Sequence, residues 1–200
     1  MKTAQEALNE ETQIALGKFV IAFSHVLVYL EHSTTQLHRL SGNPLNEEAQ
    51  AKLAKKTAGP LAEEFYKAFK DYWNGSLTST DSAVFEQIES EVNQLVEDRN
   101  RVMHDAWLTT TDACEETAQE MATLRVFAAG KRVAYEMKSR TPMVILLLAA
   151  DASRLAEVVR FSVSYRPPNP IGPEMRQRIA LVDGKITARP HKLQLPRAQL

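Results

Sequence analysis

Two observations predict a mainly α-helical bundle of four to five helices with a small β-hairpin and an extended C-terminal tail. Apolar residues recur at helical spacing through four segments, and turn formers gather at a few discrete breaks between them. With 44% hydrophobic and 24% charged residues in a chain of 200, the composition is that of a globular protein with one substantial core. Residues 1–165 read as the bundle and residues 166–200 as a basic, proline-containing tail.

The first helix places Leu16, Phe19, Val20, Phe23, Val26, Leu27 and Leu30 on one face. Ile14, Ile21 and Val28 add a second apolar strip, too much for one packing partner, so this helix belongs in the middle of the bundle or at a subunit interface. Ser41-Gly42-Asn43-Pro44 ends it, and Asn46 ahead of Glu47 and Glu48 reads as a new N-cap with an acidic first turn. The second helical region runs to about Trp73. Gly59-Pro60 interrupts it as a break or a sharp kink, because proline lacks a backbone donor and turns the preceding residue away from helix.

Residues 74–82 form a loop by composition, with Asp81 or Ser82 capping a third helix from about Ala83. Beyond it, the residues around Ala129-Gly130-Lys131 alternate as in a β-hairpin. Thr141-Pro142 starts a last helix that reaches about Tyr165, and its apolar beginning calls for burial. The stretch Ile179–Ala188 can close as a second small hairpin across Asp183-Gly184.

The net charge of −1 hides an asymmetry: residues 166–200 carry +5 and the rest −6. Such a tail suits nucleic acid, an acidic partner or plain solvation. Cys114 is the single cysteine, which excludes an internal disulfide and a cysteine zinc site, fits a reducing cytoplasmic setting, and reads as an ordinary free thiol. The first residues lack the pattern of a signal peptide, and the longest uninterrupted apolar run, Met143–Ala150, is short of the roughly 20 residues that span a bilayer, so no membrane is expected.

The third helix carries the most informative pattern. At about 100° per residue, Phe85, Ile88, Val92 and Leu95 form an apolar stripe with Arg99 at its centre, followed by Val102. Asn100 and His104 share a neighbouring strip with Trp107, within reach of the same small volume. An arginine so placed reads in two ways: as a structural cation that pairs with a carboxylate or snorkels to water, or as a functional one facing a cleft.

The run Arg99-Asn100-x-x-x-His104, late in a long helix of an all-α chain, resembles the motif of the HEPN superfamily: an arginine, a polar residue and a histidine after a short spacer. Arg99, Asn100 and His104 match its three positions, and the helical layout over about residues 5–165 matches the family's bundle. Asp105 stands where many members have glycine, adding a carboxylate next to the histidine. The resemblance implies a homodimeric endoribonuclease that needs no metal or cofactor, with Arg99 and His104 catalytic and Asn100 supporting. It also implies RNA as substrate and a place in prokaryotic defence or a toxin–antitoxin pair, with an antitoxin or other protein as partner. The alternative is a non-catalytic helical interaction or nucleotide-binding protein that keeps the motif.

Rival sites are poorer. His25, His32 and His38 on the first helix lack the Glu-x-x-His pairing of di-metal bundles, and His25 and His32 read as interior or interface residues. Phosphate loops and Gly-x-Ser-x-Gly or His-Glu-x-x-His motifs are absent. Phe65, Tyr66, Phe69, Tyr72 and Trp73 recur at helical spacing around Lys67 and Lys70, which reads as core before it reads as a base-stacking surface.

Overall fold

The computed structural model describes residues 4–73, 79–109, 121–129, 132–163, 179–182 and 184–188. It is mainly α-helical, with five helices: α1 (Ala4–Leu40), α2 (Glu47–Ala54), α3 (Ala58–Tyr72), α4 (Ser79–His104) and α5 (Pro142–Val163). Strands β1 (Ala106–Thr109), β2 (Met121–Ala129) and β3 (Arg132–Ser139) make an antiparallel sheet in that order, and β4 (Ile179–Val182) pairs with β5 (Lys185–Ala188). Cys114 and the proline-rich stretch 166–173 lie outside the described residues.

The long helix α1 buries Phe19, Phe23, Val26, Leu30 and Leu37 against α3 and α5. Its termination follows from Gly42, whose φ of 77° lets Asn43 N–H reach the His38 carbonyl and Gly42 N–H the Arg39 carbonyl. The second apolar strip is not central: Ile14, Ile21 and Val28 are 54%, 63% and 57% exposed, and Val20, expected on the inner face, is exposed as well. His25 and His32 also face outward, which removes the interior one of the two positions expected for them and leaves the interface. By length and composition α1 could cross a membrane, a test that core helices of soluble proteins also pass.

Asn46 caps α2 as its side chain accepts from Ala49 N–H at 2.8 Å. The break comes at 55–57, ahead of Gly59-Pro60, which falls in the first turn of α3. Proline costs nothing there, because the first N–H groups of a helix have no intrahelical acceptor. Along α3 and at its C-cap most aromatic residues are core: Phe65, Tyr66, Phe69 and Trp73 are buried, Tyr72 is half-buried, and Phe69 stacks on Phe85 of α4 at 4.2 Å. Burial, with Glu89 nearby, pushes the Tyr66 hydroxyl well above its ordinary range.

Helix α4 begins at Ser79, four residues before the expected start, so Asp81 sits buried in its first turn instead of capping it. The hairpin β2–β3 forms where the alternation predicts it, in register from Ala122↔Ser139 to Ala129↔Arg132. Helix α5 starts as the sequence indicates, with Val144 N–H donating to Thr141 Oγ1 at 3.3 Å. Its apolar beginning is only half buried: Ile145 and Ala149 enter the core, whereas Met143 and Leu147 are exposed.

The Asp-Gly hairpin also forms, with Gly184 at a φ of 75°. A hairpin of two four-residue strands is marginal alone, and this one is docked. Ile179 and Ile186 are buried, the Ile186 N–H donates to Glu91 at 2.8 Å, and Arg154 donates to the Ile186 carbonyl.

Candidate functional site

The stripe that runs along α4 is buried throughout its length, at Phe85, Ile88, Val92, Leu95 and Val102, and opens at one position. There Arg99 is only half buried. Its guanidinium lies over the Phe23 ring of α1, 5.9 Å from the centroid, so the apolar stem continues the stripe while the charged head emerges at the bundle surface.

The structure brings all three expected residues together. Arg99 Nη1 is 3.2 Å from Asn100 Oδ1 and 3.2 Å from His104 Nε2. Arginine offers donors only, so a hydrogen bond across the second contact uses an Nε2 lone pair. His104 is exposed and Asn100 half-exposed. Among the described residues Arg99 has no carboxylate partner. Trp107 does not share this strip: α4 ends at His104, and Trp107 belongs to β1.

Two buried arginines hold the end of α4 in place, and sequence reasoning missed their roles. Arg140, 2% exposed, follows β3 and donates to Asp98 at 3.1 Å. Arg101, also buried, donates to Glu136 of β3 at 2.7 Å and lies 3.4 Å from Asp105. Asp105, the residue that departs from the resembled motif, therefore has its carboxylate against Arg101. The i,i+4 spacing of Arg101 and Asp105 was a signal for that pair. Nothing in the sequence pointed from Asp98 to Arg140, 42 residues away.

A half-exposed permanent cation beside an imidazole and an amide can bind an anion, accept a proton and orient a polar ligand. Among the described residues no three His, Cys, Asp or Glu side chains gather as a metal site. A separate cleft of about 300 Å³ lies between α4, α5 and the β4–β5 turn, lined by Glu91, Asp98, Asp151, Arg154 and Lys185. Arg154 pairs with Glu91 at 2.7 Å and Lys185 with Asp151 at 3.0 Å, which fastens the hairpin to the bundle, and Asp98 is paired with Arg140 outside the cleft. No family model matches the chain, and neither does any curated protein or solved structure.

Proposed function

We propose that the protein is a HEPN-like, metal-independent endoribonuclease that works as a cytoplasmic homodimer, in prokaryotic defence or as the toxin of a toxin–antitoxin pair. One observation supports this reading above the others: Arg99 contacts both Asn100 and His104 at the surface, at 3.2 Å each. A structural arginine would instead turn to a buried acid, as Arg101 and Arg140 do.

The chemistry follows from the side chains. RNA carries its own nucleophile, so the protein has to move protons and stabilise charge. When a phosphate arrives, the Arg99 guanidinium turns from His104 to two phosphate oxygens and frees Nε2. The 2′-hydroxyl gives its proton to Nε2 as its oxygen bonds to phosphorus. The bond from phosphorus to the 5′-oxygen breaks, and that oxygen takes a proton from His104 of the second copy in its imidazolium form. The products are a 2′,3′-cyclic phosphate and a 5′-hydroxyl. Asn100 holds Arg99 in the waiting position.

The test is cleavage of a labelled RNA in EDTA by purified protein. His104→Ala is expected to slow cleavage about 10²–10⁴-fold while the fold is retained. Cleavage that survives this change removes the assignment. RNA that binds through Arg99 and is never cut moves the protein to the non-catalytic, nucleotide-binding class.

A further inference from the structure

The outward face of α1 carries a pattern that the bundle does not use. Ile14, Lys18, Ile21, His25, Val28 and His32 follow one another at steps of four and three residues, and all six are exposed. Alternating steps of four and three average 3.5 residues, the period of a seam between two coiled helices. The helix is 37 residues long, so its ends reach beyond the seam on both sides.

We propose that this seam is the docking surface for α1 of a second copy of the chain, paired antiparallel about a two-fold axis at the level of Phe23. Two features of charge select the occupant and its direction. In a parallel pair each seam residue meets its own copy, so Lys18 abuts Lys18 and the histidines abut each other. In the antiparallel pair with the longest overlap, Ile14 meets His32, Lys18 meets Val28 and Ile21 meets His25, so no cation faces its like. The ends agree: Glu6, Glu10 and Glu11 crowd the start of α1, and His38 and Arg39 stand at its finish. Antiparallel pairing brings the acidic end of one copy beside the basic end of the other. A bilayer is a poorer occupant, because the apolar positions alternate with Lys18, His25 and His32 instead of forming an unbroken face.

The seam is distinct from the motif and rests on nothing in the nuclease reading. Phe23, which carries Arg99, lies about 180° around α1 from Ile14 and is buried. A copy docked on the seam therefore leaves Arg99 and His104 open, and any meeting of two motifs is a second contact.

Sedimentation and cross-linking of the full chain test the proposal. Ile21→Lys combined with Val28→Lys is expected to halve the sedimenting mass with the helical circular dichroism unchanged. In a Cys114→Ser background, Ile14→Cys mixed with His32→Cys is expected to form a disulfide-linked dimer, and Ile14→Cys alone is not. A mass that the two lysines leave unaltered overturns the proposal, and so does self-linking of Ile14→Cys. Wild-type protein that sediments as a monomer and floats with phosphatidylcholine–phosphatidylglycerol vesicles, in a manner the lysines abolish, overturns it in favour of a lipid surface. RNA cleavage is read separately, so a failed seam and a failed nuclease are told apart.

Discussion

Arg99 and Arg101 stand two residues apart on the last turns of α4, about 200° apart around the helix. Arg99 leans over the Phe23 ring with its head beside His104, whereas Arg101 is buried between Asp105 and Glu136. Burying a guanidinium is costly unless acids surround it, so Arg101 is tied to its place by charge. Arg99 keeps its charge at the surface with aromatic and imidazole neighbours, and its head is available to an incoming anion. The comparison teaches that the end of α4 carries one arginine that, among the described residues, has no acid, beside others that have one.

The sharpest way to break the comparison is to remove a buried cation. Arg140→Ala leaves Asp98, already largely buried, without the guanidinium that neutralises it, and a cost of about 3–5 kcal/mol in urea unfolding is expected. Replacing both partners, with Arg140→Met and Asp98→Leu, is expected to recover most of that loss, because two apolar side chains leave no charge behind. A loss below about 1 kcal/mol for Arg140→Ala would mean that the pair does not hold α4 against β3.

Arg99→Ala sharpens the same contrast from the other side. Only a cation–π contact, one part-buried hydrogen bond and one exposed one disappear, so stability is expected to fall by about 1 kcal/mol, while RNA cleavage is lost. Should Arg99→Ala destabilise the protein as much as Arg140→Ala does, Arg99 is a structural cation and the distinction collapses.

How much of this was legible in the sequence differs between the two arginines for the same physical reason. The α4 stripe is a local pattern repeated every turn, so its residues and the odd arginine within it could be placed by counting. The spacing of Arg99, Asn100 and His104 likewise fixed their proximity before any fold was known. Arg140 and Glu136 meet α4 only because a hairpin folds back on it, and no periodicity carries that information. The exposed strip of α1 was legible in part: Ile14, Ile21 and Val28 were read as a second apolar face bound for the middle of the bundle or a subunit interface, and their exposure removes only the first, because hydrophobicity does not say whether a partner is in the same chain. Trp107 was misplaced because the helix ends at His104, where the pattern has no capping residue to mark the stop.

The smallest effect comes from an ion pair that resembles the buried ones only on paper. Lys56 donates to Glu64 at 2.7 Å, and both side chains are about a third exposed. The hydrogen bond from Lys56 holds the Glu64 carboxyl below its ordinary range, against a smaller opposing effect of burial. A carboxylate whose folded pKa is depressed adds stability above its unfolded pKa, and that stability disappears as the pH falls through the folded value. Lys56→Met should therefore cost about 0.5 kcal/mol or less in urea unfolding at pH 7 and nothing at pH 2, where Glu64 is protonated in both states. The contrast with Arg140 depends on water: solvent around Lys56 and Glu64 already stabilises each charge alone, whereas Asp98 without Arg140 has little solvent to replace it. Equal losses for the two pairs at pH 7 would show that burial is not what separates them.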